Sequence, residues 1–210
     1  MTPGARVQAA IEVLGAVAGG APAERELTSW GRRSRYAGSK DRAAVRDHVY
    51  DALRRLRSSA WLGGLGDVAG LDAVAEPARV LAGSIRGSGG DPAALFTGQG
   101  HAPPPIDLPV APGPMPDGVA ADLPDWALAR LRADHGDRAN AIAAALRDRA
   151  PVVLRANLAR TSRGALLAEL SEMGHAAAAH PMSPTAIRLE GNPRGLAASA
   201  PFLAGHFEFQ

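Results

Sequence analysis

The spacing of apolar residues changes near Ala150, and this change limits the chain to a helical part followed by a mixed one. Before that point Val7, Ala10, Ile11, Leu14, Val17 and Ala18 recur at helical steps, predicting a first helix that ends at Gly19-Gly20. A second helix is expected from Ala23 to Trp30, stopped by Gly31. Ser39 reads as the N-cap of a long third helix, with Asp41 in its first turn and Val45, Val49, Leu53 and Leu56 as its apolar stripe. Further helices are expected over Leu71–Ile85, bent or split at Pro77, and over Pro92–Thr97 with Asp91 as cap. Beyond the prolines, one helix follows Leu123-Pro124-Asp125-Trp126, and Asp137 caps another with Ile142 and Leu146 on its inner face.

After Ala150, Pro151–Asn157 reads as a strand, Ser162–Met173 as a helix closed by Gly174, and Ala176–Pro181 and Ala186–Glu190 as two strands. The segment His206–Gln210 alternates like a final strand. The fold class is therefore mostly α, then α+β: a helical bundle over residues 1–149 and a small β-α-β-β domain over 150–210. Between Gly98 and Gly118 stand seven prolines, which exclude a continuous helix or a central strand and predict an extended loop within the first domain.

Composition narrows the chemistry. Hydrophobic residues are 46% and aromatics 4% of the chain, so alanine does much of the filling and closely packed helices are expected. A formal charge of +2 gives no global polycationic field, so any nucleic-acid affinity must be local. The chain has no cysteine, which excludes disulfides, cysteine-ligated metal and a cysteine nucleophile. The N-terminal stretch carries Glu12 inside an amphipathic helix, unlike a signal segment or a membrane span, and the expected setting is cytoplasmic.

The basic residues are unevenly placed. Arg32, Arg33, Arg35, Lys40, Arg42 and Arg46 fall close together, with Tyr36 among them, and Arg54, Arg55 and Arg57 follow. Guanidinium groups beside a helix N-terminus suit phosphate, and a tyrosine can stack on an unpaired base. The competing reading is a solvated loop, Gly31–Gly38, with a flanking helix. At about 100° per residue Arg42 falls on the apolar stripe, where an arginine either meets a buried carboxylate or contacts RNA. Arg155 and Asn157 share one side of the predicted strand, either as its exposed polar face or as contacts to RNA or a neighbouring domain. His175 and His180 form no metal pattern, and Gly63-Gly64-Leu65-Gly66 and Gly87-Ser88-Gly89-Gly90 lack the phosphate-loop and dinucleotide spacings.

Three stretches, in order, resemble one family. The segment Tyr36-Ala37-Gly38-Ser39-Lys40-Asp41-Arg42 through Arg55 resembles the Gly-Ser-x-Asp-Arg helix in the NusB-like N-terminal domain of the RsmB/Sun/NOP2 family of rRNA cytosine-5 methyltransferases. Leu123-Pro124-Asp125-Trp126-Ala127-Leu128 is similar to the proline-tryptophan helix before that family's small α+β domain. Pro151–Asn157 with Thr161-Ser162-Arg163 and Leu166–Leu170 resembles the strand and helix of that domain, and Ile187–Gly191 and Gly205–Gln210 continue the likeness.

The resemblance implies a front part that docks 16S rRNA, with Arg32, Arg33, Arg35, Tyr36, Lys40, Arg42, Arg46, Arg155 and Asn157 as RNA contacts. It also implies a catalytic domain, in cis or in trans, that binds S-adenosylmethionine and attacks C6 of cytosine through cysteine. This sequence contains neither the Asp-x-Cys-x-Ala-Pro-Gly-Gly-Lys-Thr cofactor segment nor a Pro-Cys motif, so it is expected to hold no cofactor and to be inactive alone. Two rivals stand beside this reading: a NusB-type antitermination protein, to which the unit from Pro151 onward would be foreign, and a module whose basic face meets a protein.

Overall fold

The computed structural model describes residues 1–68, 75–109, 113–191, 193 and 195–210. Contacts divide the chain into two units, Met1–Asp148 and Arg149–Gln210.

In the first unit, α1 (Pro3–Ala18) begins where Thr2 accepts the Ala5 N–H at 3.2 Å and Pro3 takes the first turn. It packs on α2 (Ala23–Arg33), α3 (Ser39–Arg54) and α5 (Pro77–Gly87), with α4 (Leu56–Leu62) lying against α5. Val7, Leu14, Val45, Val49, Val80 and Leu81 are fully buried between them, each contributing roughly 1.5–3 kcal/mol through removal from water. The α4–α5 crossing is backbone-tight. A Cβ at Gly83 would stand 1.8 Å from the Ser59 carbonyl oxygen, so only glycine permits this approach.

Gly31 does not stop α2: the helix runs on to Arg33, so Arg32 and Arg33 occupy its last turn, where the dipole favours cations. Ser39 is the first residue of α3, and Gly38 is its cap; Asp41 accepts the Gly38 N–H at 3.0 Å. The third helix ends at Arg54, and Leu56 opens α4, which the sequence reading missed. Pro77 starts a helix instead of bending one, and Leu71–Val74 of the expected helix lie outside the described residues. Pro92–Ala94 is a single 3-10 turn, its start capped by Asp91.

The described part of the proline-rich loop has no helix or strand before α6 (Asp117–Ala121). There follow α7 (Asp125–His135) and α8 (Ala139–Arg147), joined by a 3-10 turn at Gly136–Arg138. Their shared apolar contact is small: Ala121, Leu128 and Ala143, with Leu123 and Leu131 beside them. Ala139 and Ala143 face inward on α8, whereas Leu146, expected there, is 63% exposed.

The second unit runs β1 (Val153–Ala156), α9 (Arg163–Glu172), β2 (Ala177–Ala179), β3 (Ala186–Leu189), a 3-10 turn at Leu196–Ala198 with α10 (Ala200–Leu203), and β4 (Phe207–Phe209). The sheet order is β2-β3-β1-β4, and the pairs are antiparallel, with Leu154 opposite Ile187 on one side and Phe209 on the other. This is mostly α, then α+β, as the sequence predicts. The expected β-α-β-β unit gains a short second helical crossover before its last strand, giving the ferredoxin-like β-α-β-β-α-β order. Leu154, Ile187, Leu166, Leu170 and Leu196 form its core, and Phe202, Phe207 and Phe209 pack ring against ring 5.5–5.9 Å apart, tilted in the two pairs of Phe202 and edge-on between Phe207 and Phe209.

Candidate nucleic-acid interface

The arginines of the basic run fall into two different environments. Arg32, from the end of α2, and Arg42 and Arg46, from the first half of α3, line one groove of about 310 Å³ with Glu24, Leu27 and Trp30. Leu27 and Trp30 are buried because α2 turns them against α1 and α3, and this leaves the polar side of α2 facing the open first turns of α3. The Arg42 guanidinium is held by a hydrogen bond from its Nε to the Ala37 carbonyl at 3.0 Å, and its stem passes over Gly31. All three arginines are exposed. Among the described residues none of them has a carboxylate within salt-bridge distance. Three guanidiniums without a salt-bridge partner among the described residues, against the single carboxylate of Glu24 in the lining, give the groove an excess of positive charge that favours an anionic ligand.

Glu24 at the rim accepts the Tyr50 hydroxyl at 3.0 Å. Burial, followed by this bond and the Glu24 charge, pushes the Tyr50 phenol above its ordinary range. Arg42 is not the half-buried residue its helical phase implied: in the first turn of α3 it is exposed, with its stem lying over Gly31.

The other expected contacts, Arg33, Arg35, Tyr36 and Lys40, are exposed but do not line the groove; Arg33 donates to Ser29 Oγ at 2.6 Å, and Tyr36 is 75% exposed. At the start of α3, Asp41 is buried and bonded to Arg6 at 2.8 Å and to the Met1 amino group at 3.3 Å. Burial works to raise its carboxyl, but the hydrogen bonds from Arg6, Gly38 N–H and the amino group together hold it below the usual carboxylate range. Asp41 thus caps and anchors the helix.

Arg57 behaves oppositely. It is 9% exposed and donates to Asp67 at 2.8 Å, to Asp125 at 2.9 Å and to the Leu123 carbonyl, tying α4 to the start of α7. Burial opposes its charge, yet Asp67 and Asp125 outweigh that and raise its pKa. A Cβ at Gly118 would stand 2.0 Å from Asp125 Oδ1, so this approach depends on a glycine. Nearby, Asp122 in left-handed backbone takes the Ser58 N–H at 2.8 Å, the Ser58 hydroxyl at 2.9 Å and Arg147 at 3.3 Å. No local sequence signal distinguishes Arg57 from its neighbours, because its partners lie ten and 68 residues away.

Arg155 and Asn157 belong to the second unit. Arg155 pairs with Glu208 on β4 at 2.5 Å. The Asn157 amide donates to the Gly205 carbonyl at 2.9 Å and accepts the Ala159 N–H at 3.2 Å, closing the turn after β1. Both are exposed, but both are occupied within the chain. His206, also unforeseen, bonds Glu169 at 3.0 Å across this unit.

The chain thus has an all-helical unit with a groove lined by Arg32, Arg42 and Arg46, and a unit with the ferredoxin-like strand and helix order. Residues 123–194 match the ferredoxin-like domain of RsmF/B-like methyltransferases, a stretch that begins at α7 and runs through β3. The crystal structure of PH0851 has the same fold, with a TM-score of 0.60 at 16% sequence identity; the match covers 100% of this chain. This chain spans about half of that protein, 53% of its length. No curated protein sequence matches the chain. Among the described residues, no helix is long and apolar enough to cross a membrane.

Proposed function

We propose that the chain is the RNA-docking part of a cytoplasmic, S-adenosylmethionine-dependent rRNA cytosine-5 methyltransferase acting on small-subunit (16S) rRNA, with catalysis supplied by a domain in cis or in trans. The observation that carries the docking role is the convergence of Arg32, Arg42 and Arg46 on one groove without a salt-bridged carboxylate among the described residues. The match of residues 123–194 to a methyltransferase-associated ferredoxin-like domain supports the choice of enzyme class over a NusB-type regulator. The first unit, with its proline-rich loop, would be the NusB-like docking body, and Arg33, Arg35, Tyr36 and Lys40 would extend its contact surface.

The residues present do not fit the cofactor. A dinucleotide-type or methyltransferase loop needs glycines between a strand and the helix that follows. Here β1 is joined to α9 by Asn157–Ser162, which contains none, and Gly63 and Gly64 pack against Arg79 and Pro109 at the end of α4. No chemical step is therefore assigned to this chain. Arg155 and Asn157 would reach RNA only by exchanging their present partners.

The test is the affinity of the full chain for a small-subunit rRNA fragment, measured by fluorescence anisotropy across a salt series. Replacing Arg32, Arg42 and Arg46 with alanine should weaken binding and flatten the salt dependence by about 0.7–0.9 in logarithmic slope per lost phosphate contact. An unchanged slope in the triple variant would remove the groove from the interface.

A further inference from the structure

The arginine groove shares one wall with a second, larger cleft. Trp30 lines both. On its other side Trp30, with Ala5 and Ala9 of α1, forms the apolar base of a cleft of about 880 Å³, whose walls carry Tyr36, Gln99 and His101. The two sides differ in chemistry: the first presents guanidiniums, the second an aromatic ring, methyl groups and amide and imidazole groups, with Met1 and Glu12 also in its lining.

The wall opposite α1 is a closed turn. The Gly98 N–H donates to the Pro103 carbonyl at 2.8 Å, and the Ala102 N–H to the Gln99 carbonyl at 3.0 Å. Gly4 of α1 lies so close that a Cβ there would stand 2.6 Å from the Ala102 Cβ, so the turn is packed against the helix before any ligand arrives. Tyr36 is 75% exposed, and its hydroxyl has no partner among the described residues. At the rim, Gln8 and Glu12 bond each other at 3.2 Å and offer a further amide and carboxylate edge.

From this arrangement we infer that the Trp30–Tyr36 cleft receives an unpaired nucleobase of the same single-stranded RNA whose phosphates lie in the arginine groove. The inference rests on the RNA-docking reading above and specifies its ligand as single-stranded. A polyanion held at Arg32, Arg42 and Arg46 places the adjoining nucleotide beside Trp30, and the next surface it meets is an exposed phenol ring above an apolar base. Every base has a π-face to stack on tyrosine, and Gln99 and His101 in the cleft lining supply an amide and an imidazole for its polar edge. A double helix cannot deliver a base there without unpairing it.

The probe is a fluorescein-labelled mixed-sequence single-stranded RNA of about ten nucleotides, with the same strand annealed to its complement as control. The inference expects Y36A to weaken single-strand binding about tenfold, a typical loss for one base stack, and Y36F to retain it. It expects the salt slope of Y36A to equal that of the wild type and duplex binding to be unaffected. Because Tyr36 is exposed, Y36A should melt at the wild-type temperature. Single-strand and duplex binding that are equally strong, and equally indifferent to Y36A, would overturn the base site while leaving the arginine groove in place. If the wild-type chain binds neither probe at low salt, the RNA-docking reading falls, and the base site falls with it.

Discussion

Arg42 and Arg57 stand fifteen residues apart in one basic run, and the fold gives them opposite tasks. Arg42 is exposed in a groove with Arg32 and Arg46, without an acidic partner among the described residues; Arg57 is buried and held by Asp67 and Asp125. The difference shows that charge density along a sequence does not locate a polyanion site. What locates it is where the surrounding packing leaves guanidiniums together and unpaired, since a paired and desolvated arginine has already spent its hydrogen bonds on the fold.

The comparison can be broken most easily at the buried end. Arg57→Ala leaves two carboxylates and the Leu123 carbonyl without their donor, and should destabilise the first unit by roughly 3 kcal/mol, the low end for a broken buried pair because Asp67 and Asp125 reach solvent. Urea unfolding followed by circular dichroism reads this directly; a loss under about 0.5 kcal/mol would mean that Arg57 is no more structural than Arg42. Gly83→Ala tests the α4–α5 crossing on which Arg57 stands. Its methyl group has no room beside the Ser59 carbonyl, so a loss of about 1–3 kcal/mol is expected in the same assay, and a neutral result would show that the helices can move apart freely.

A gentler probe is pH. Burial, chiefly, depresses His48 below its ordinary value of 6.5, against the pull of Asp51 and Asp47. A depressed pKa favours folding above the unfolded value, and that contribution is lost as pH falls through the folded one. The melting temperature should therefore drop on acidification below about 6.5, and less so in His48→Gln. Asp41 acts in a separate window: its stabilisation is present above 3.8 and disappears only at lower pH. The smallest effect is expected at the groove itself, where Arg42→Ala should change stability by less than about 0.5 kcal/mol while weakening RNA binding.

Much of this architecture was legible from spacing. The helices α1, α3 and α9 and the strands β1, β3 and β4 follow from runs such as Val7-Ala10-Leu14 or Leu166-Leu170, whose period matches the element and whose members are buried. What escaped depends on distant partners. Ser58-Ser59-Ala60 has no apolar period, yet α4 is buried there because Gly83 lets α5 come close. Leu196–Leu203 is too short and too rich in alanine to reveal a crossover, though Phe202 locks it to Phe207. A glycine after Trp30 signals a helix stop, yet Gly31 lies inside α2 as the smooth patch over which Arg42 passes. The site was legible as a list of basic residues but not as a groove, since joining Arg32 to Arg42 and Arg46 requires the crossing of α2 and α3. Nor did the sequence reveal that Trp30 walls two clefts.

RNA is proposed to bind at the α2–α3 surface and not at the buried arginine node. Ultraviolet crosslinking of the full chain to a small-subunit rRNA fragment, with the crosslinked peptides identified by mass spectrometry, tests it most directly. Crosslinks on peptides spanning Trp30 to Arg46, and none spanning Leu56 to Leu62, are the predicted result. Crosslinks confined to the second unit, or to α4, would contradict it.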